Sequence, residues 1–331
     1  MRRAAVALAA LALAVSGCAT PYQPPPVTEP TPEGALFTVP QEPSPTRDEP
    51  DCDPRYSLPP SAVRPRLDRL RVGVSQSTPR MSFRNPRTGE FEGFEIDLVR
   101  EVAKALFGPR ARQRVVFVTV PFSEGVRRLN DGTIDLFAQS MTTTCRRATE
   151  IAYSSNYLDT GQTMLVRAGS PYRRVEDLRG KRVCSGASTV SVDHVRQLGV
   201  GLVPVVAAVT SDCLLMLEQG QAEAVSSDEN ILIGLKEMSA DTRLLPDTAS
   251  PPGGGRCVWN IHPECSWFSD EPHGFAFRKG DTQLLRFTNH VLDEIRANGR
   301  WKAIHDTWLP DHPDKGPPPA HYLKNATAWP Y

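Results

Sequence analysis

Residues 139–147, Gln-Ser-Met-Thr-Thr-Thr-Cys-Arg-Arg, place four hydroxyl side chains and two neighbouring guanidinium groups directly behind a short apolar run from Ile134 to Ala138. Hydroxyls beside an arginine at the end of a buried strand are anion-binding chemistry, because the guanidinium is a planar, bidentate donor that matches a carboxylate. Other chemistries lack their signatures. The chain carries no GxxxxGK[ST] phosphate loop, no GxSxG nucleophile elbow and no HExxH. Cys257, His262, Cys265 and His273 are the one grouping of zinc-ligand types, and their spacing matches no standard site. No metal is expected.

The start of the chain sets the compartment. Arg2 and Arg3, an apolar run from Ala4 to Val15, and then Ser16-Gly17-Cys18 read as a signal peptide over residues 1–17. Its ending resembles the lipobox of bacterial lipoproteins, which implies that Cys18 is diacylated and becomes the mature N-terminus. Six cysteines then remain in an exported chain, an even number outside the cytosol, which points to disulfides. Cys257 and Cys265 should close a local loop. Cys184 ends a strand-like run and Cys213 opens the helix after the next strand, so those two should meet. Cys145 is then left for Cys52.

The elements that must carry these residues follow from pattern. Of 31 prolines, 14 lie in residues 19–65 and 6 in residues 310–331, so the 244 residues between hold an ordinary share. The ends therefore read as unfolded: a lipidated N-terminus with a Pro-rich tether over residues 18–65, and a C-terminal tail over 311–331. Between them, strand-like and helix-like runs alternate twice. Leu70–Val74 alternates as a strand, Phe94–Phe107 carries apolar residues at helical spacing, and Val115–Val120 and Ile134–Ala138 are further strands. The alternation restarts at Met164 and runs through Met238, and Gly274–Leu309 adds one strand and two helices. That order argues for parallel α/β sheets in two lobes. Trp301, Ile304 and Trp308 share a helix face and read as core. Equal numbers of Lys+Arg and Asp+Glu, 38 each, with no basic block beyond Arg146-Arg147 and Arg173-Arg174, leave no footprint for a polyanion, so no nucleic-acid partner is expected.

Residues 134–157, Ile-Asp-Leu-Phe-Ala-Gln-Ser-Met-Thr-Thr-Thr-Cys-Arg-Arg-Ala-Thr-Glu-Ile-Ala-Tyr-Ser-Ser-Asn-Tyr, closely resemble a signature of the polar-amino-acid solute-binding proteins of ABC importers, the family 3 extracellular solute-binding proteins. Three more segments agree in order: Gly93-Phe94-Glu95-Ile96-Asp97, Val175 to Val183, and Gly299 to Ile304. The lipobox, the Pro-rich stretch and the Cys184/Cys213 pair look most like the glutamate-type lipoproteins of actinobacteria. The resemblance implies a two-lobed, type II periplasmic-binding-protein-like fold with a two-strand hinge. Lobe one would comprise residues 66–165 plus 274–310, and lobe two residues 166–273 with an insert at 251–270. It also implies a monomer, lipid-anchored on the outer face of the cytoplasmic membrane, that delivers an amino acid to the permease of an ABC importer and uses no cofactor.

An α-amino acid carries a carboxylate and an ammonium on one carbon, so its receptor needs a guanidinium and, opposite, a fixed carboxylate. The resemblance places the first role on Arg147, with the Thr142 hydroxyl and the backbone groups of Ser140 and Thr142, and the second on Asp228. Backbone N–H groups of Thr189 and Val190 would complete the carboxylate site from lobe two. Phe83 and Phe122 match positions that sandwich the ligand's aliphatic part, and Gln76 and Ser227 match positions that face its tip. The ligand is expected to be of the glutamate, glutamine, aspartate or asparagine type; Gly125 departs from the acidic-ligand branch, where an arginine is expected, so glutamate would need Arg127 or Arg128, while glutamine, asparagine or another polar amino acid stays open. Two other readings remain on the same fold: a dehydratase-like enzyme, and a sensor signalling to a membrane partner.

Overall fold

Tyr56–Ser57 (β1) precedes Leu70–Val74 (β2), whose Leu70, Val72 and Val74 are wholly buried at every second place, as a strand requires. The structure is a computed structural model that describes residues 52–245, 267–312 and 316–331. The signal peptide, Cys18, the Cys257–Cys265 pairing and residues 251–266 of the insert lie outside the described residues. Ser77–Thr78 (β3), Ser82–Arg84 (β4) and Phe91–Glu92 (β5) form a small antiparallel sheet. Helix α1 (Phe94–Phe107) starts behind Gly93, where φ is 128° and a Cβ would lie 2.3 Å from the Met81 carbonyl oxygen, so only glycine fits. Next come α2 (Ala111–Arg114), β6 (Val115–Thr119), α3 (Gly125–Asn130), β7 (Leu136–Ala138), α4 (Cys145–Ala148) and β8 (Ile151–Tyr153).

The chain then leaves along β9 (Leu158–Thr160) and enters a second unit. This consists of β10 (Gln162–Arg167), β11 (Arg182–Gly186), α5 (Val190–Gln197), β12 (Val203–Ala207), α6 (Thr210–Glu218), β13 (Ala224–Asp228), α7 (Glu229–Met238) and β14 (Thr242–Leu245). It returns along β15 (Glu271–His273), antiparallel to β9, to β16 (Ala276–Arg278), α8 (Thr282–Ala297), α9 (Arg300–Trp308) and β17 (His321–Tyr322).

Each lobe is built on a five-stranded sheet, ordered β6-β2-β7-β16-β8 in lobe one and β12-β11-β13-β10-β14 in lobe two. The sheets are mixed rather than purely parallel. In each, the fourth strand runs against its neighbours: β16 against β7 and β8, and β10 against β13 and β14. These are the two strands that arrive from the hinge. A strand that enters a lobe at its cleft edge must run away from the cleft, whereas β2, β7, β11 and β13 run toward it. Because β10 already begins at Gln162, lobe two starts earlier than the 165/166 boundary read from the sequence.

Alternation along the lobe-two strands covers both faces of the sheet. Leu165, Cys184 and Val225 join one apolar cluster, while Met164, Val166, Val183 and Ala224 join the other. The lobe-one core gathers β2, α1, α8 and α9, with Trp301 buried and its indole N–H donating to the Tyr157 carbonyl at 2.7 Å.

The Pro-rich ends correct the sequence reading. Residues 52–65 and 316–331 are folded onto lobe one: β1 pairs in parallel with β17, Leu58 is wholly buried, and the Asn289 side chain donates to the Ser57 hydroxyl and the Leu58 carbonyl. Trp329 is buried against Tyr153, and its indole N–H donates to the Ala148 carbonyl at 3.0 Å. Proline lacks a donor, so it suits extended chain laid over a surface with few ladder bonds, and a few apolar side chains are enough to fasten it. Trp329→Ala should therefore lower the unfolding free energy by about 3 kcal/mol in urea titrations. An unchanged midpoint would mean that the tail is not part of the fold.

Candidate ligand-binding cleft

In both lobes the parallel strands point their carboxyl ends at one crevice, where open α/β sheets place ligands. Ser75, Gln76 and Thr78 follow β2, Phe122 follows β6, and Ser140 and Thr142 follow β7. From lobe two come Thr189 and Val190 after β11, and Ser227 and Asp228 at the end of β13. These residues enclose a cavity of about 400 Å³, within the usual range for small-molecule sites.

Arg147 lies on the single turn α4, fixed where the Thr144 hydroxyl accepts its backbone N–H at 3.2 Å. Its guanidinium donates to the Thr142 carbonyl at 3.0 Å and, across the crevice, to the Ser188 carbonyl at 3.1 Å. It also rests 5.3 Å from the centre of the Phe122 ring. The phenyl face thus supports the cation, a role for Phe122 beyond lining the cleft. Ser140 and Ser188, one on each side, both take positive φ, 47° and 61°. Such strain in non-glycine residues gathers at binding sites.

Asp228 ends β13 and is almost wholly buried. It stands at the start of α7 but makes no capping hydrogen bond, so helix capping does not account for it. Oδ2 lies 2.8 Å from Nε2 of the buried His273, and Oδ1 is buried without a protein partner among the described residues. Burial pushes the Asp228 carboxyl above its ordinary pKa, and His273 pulls it back.

Two sequence expectations change. The Ser140 backbone N–H, expected to face the ligand carboxylate, instead donates to Oε1 of the buried Glu95 at 2.5 Å, and the Tyr157 hydroxyl donates to the same oxygen. Ser140 still lines the cleft. Phe83 does not line the cavity. It sits on β4, one strand behind the cleft-lining β3, opposite Ser77 and Glu92.

The arginine expected near Gly125 in the acidic-ligand branch would have no room there: a Cβ would lie 2.5 Å from Cζ of Phe137. Arg127 is bound to Glu124 at 2.8 Å and Asp131 at 3.2 Å, and Arg128 to Glu124 at 3.0 Å. Neither reaches the cavity, and Arg147 is the one basic side chain among the described residues lining it.

Cys52 is bonded to Cys145, the first residue of α4, and Cys184 on β11 to Cys213 on α6. Sequence reasoning missed Glu95, His194 and Glu271, and weighed His273 only as a zinc-type ligand. Glu95, Glu271 and His273 are wholly buried and His194 is partly exposed, and none belongs to a periodic pattern, although Glu95 stood within the Gly93–Asp97 segment already singled out.

The fold and this site define a class: a two-lobed receptor for a small zwitterion, closed by contacts made from both sides. The comparisons with known proteins agree. Residues 70–311 match the bacterial extracellular solute-binding proteins, family 3, and the chain belongs to that family. It is 28% identical over 247 residues, 74% of this chain and 83% of the relative, to the ABC transporter glutamine-binding protein GlnH of Bacillus subtilis. To the glutamate-binding protein GluB of Corynebacterium glutamicum it is 21% identical, covering 71% and 76%. Among solved structures it resembles an ancestral arginine-binding protein bound to glutamine, at TM-score 0.62 and 26% identity over 75% of this chain and 100% of that one. The fold is also that of an ancestral amino-acid-binding precursor of cyclohexadienyl dehydratase, at TM-score 0.61 and 24% identity, covering 73% and 96%. The protein is thus an amino-acid solute-binding protein of an ABC transporter.

Next to the site, burial pushes the Glu229 carboxyl up to about 7, against the pull of the Trp267 indole N–H bonded to it. Between its ordinary 4.5 and about 7, the folded protein keeps a proton that the unfolded chain has released. Stability contributed by this group therefore falls as pH rises through that window, by on the order of 3 kcal/mol. Glu229→Gln should gain stability relative to wild type between pH 5 and pH 8, read as the difference in Tm. Parallel Tm curves would refute the assignment.

Proposed function

We propose that the protein captures an amino acid with an uncharged polar side chain, of the glutamine type, and presents it to the importer in a closed cleft. The carrying observation is the pairing of opposite charges on opposite lobes: Arg147 from lobe one and a buried Asp228 with one free oxygen from lobe two. A ligand that satisfies both spans the crevice and favours the closed state, which a transporter can read. Neutral side-chain recognition is supported by Gln76 and Ser227 at the cavity wall and by Phe137 filling the space beside Gly125. A γ-carboxylate would be buried there without a second cation, at a cost. The Bacillus relative named for glutamine points the same way.

We further propose that Cys18 carries the lipid anchor. Residues 52–65 belong to the folded body and not to the tether read from the sequence.

Two measurements test this. In a thermal-shift panel of the common amino acids, a ligand at a hundred times its Kd should stabilise the protein by about 2.7 kcal/mol. Glutamine should outrank glutamate, and Arg147→Ala and Asp228→Ala should each abolish the shift. No shift with any amino acid would overturn the reading. For the anchor, Cys18→Ser should move the protein from the detergent phase to the aqueous phase on Triton X-114 partition, and unchanged partition would remove Cys18 from the proposal.

A further inference from the structure

One residue of the hinge touches both halves of the cleft. His273, wholly buried on β15, is bridged through its backbone to Thr142, with Thr143 N–H donating to the Pro272 carbonyl at 2.9 Å and Gly274 N–H to the Met141 carbonyl at 3.2 Å. Its own carbonyl accepts from the Tyr157 N–H at 2.9 Å. Tyr157 in turn reaches Glu95, which holds the Ser140 N–H. The ring of the same residue turns to lobe two and meets Asp228 at 2.8 Å.

Two residues back on the strand, and so on the same face, the wholly buried Glu271 performs the matching task for α5. Its Oε1 lies 3.0 Å from Nδ1 of His194 and accepts from the Ser269 hydroxyl at 2.6 Å. α5 begins at Val190 and thus supplies the N–H groups that face the cleft. Residues 271 and 273 therefore fasten the two lobe-two elements that meet the ligand.

We propose that His273 is a positioning residue: from the hinge strand it fixes the Asp228 carboxylate so that one oxygen is occupied and the other stays free for the ligand's ammonium group. The inference rests on the amino-acid reading above. A carboxylate accepts only, so the ring must present N–H at Nε2. Once that bond is made, the carboxylate cannot rotate about its last torsion, and Oδ1 is aimed before any ligand arrives. Without the bond, Oδ2 loses its partner and neither oxygen of the buried carboxylate is held, so the group no longer presents an ammonium acceptor in a fixed direction.

The test is calorimetric titration of the full-length protein with glutamine and with its des-amino analogue, 4-carbamoylbutanoate, which keeps the carboxylate and amide but has no ammonium. His273→Leu should weaken glutamine about tenfold to a hundredfold, the worth of a hydrogen bond to a buried charge, and leave the des-amino ligand within about twofold of wild type. His273→Gln, whose amide N–H reaches the place of Nε2, should recover most of the affinity. His273→Asn, whose amide stops short, should not. Equal losses for both ligands, or Asn rescuing as well as Gln, would show a merely structural role and overturn the proposal. If the Leu variant does not fold, the Gln and Asn pair decides alone. A wild type that binds no amino acid would instead remove the reading itself and this inference with it, whereas wild-type binding with an unchanged ligand ratio in the variants removes only this inference.

Discussion

The chain crosses between its two sheets on an antiparallel pair, Leu158–Thr160 against Glu271–His273, and most of the architecture follows from that crossing. Each outgoing strand enters the next sheet from the cleft, so each sheet holds one strand opposed to its neighbours, in the same place in the order. The remaining strands next to it deliver their carboxyl ends to the crevice. Loops after β2, β6 and β7 on one side, and after β11 and β13 on the other, then face one another. The binding site is thus placed by topology before any side chain is chosen.

Charge placement follows from burial. A carboxylate inside a protein is stable only with partners, and the cleft distributes them unevenly. Glu95 receives the Tyr157 hydroxyl and the Ser140 N–H, and Glu271 receives Ser269 and His194. His194 and Ser269 hold Glu271 below the usual carboxylate range although burial opposes ionisation. Asp228 is given one partner and keeps one oxygen open. Arg147 is likewise occupied by backbone carbonyls, at Thr142 and Ser188, rather than by an acid. A cation resting on neutral acceptors and an anion with a vacant lone pair are complementary to a zwitterion, and they stand on opposite lobes. With the roles proposed for Arg147 and Asp228, binding and closure would be one event.

What was legible in the sequence is what local pattern encodes. Helix α1 covers the span that apolar spacing predicts, and the run after Ala138 delivers Arg147 to the cleft. Apart from the Cys52–Cys145 and Cys184–Cys213 pairings, long-range contacts were not legible. His273 sits in Glu-Pro-His-Gly, a segment with no periodicity, and its meaning comes from a partner 45 positions away. Phe83 fell one strand short because the antiparallel turn between β3 and β4 sets which of two adjacent strands faces the cavity, and composition does not report that. Proline content misled at both ends, since it marks the lack of helix and of a sheet interior rather than the lack of a fold. Leu58 and Trp329, single apolar residues in a polar setting, were the signals that those segments dock.

The two disulfides among the described residues and the C-terminal strap are best understood by what they restrain. Cys52–Cys145 fastens the first residue of the turn that carries Arg147, and Trp329 holds the last residue of that turn through the Ala148 carbonyl. Cys184–Cys213 ties β11 to α6 just before the loop that leads to Ser188 and α5. Each bridge thus lies within one lobe, next to an element that lines the cleft, and neither joins the lobes. A bridge across the cleft would have fixed the closure angle. Bridges within the lobes leave closure free while lowering the entropy that ligand binding would otherwise have to remove from the contact loops. Rigid lobes and a free hinge are what a closing receptor needs, because only then does the ligand's binding energy act on the angle between the lobes and not on their interiors.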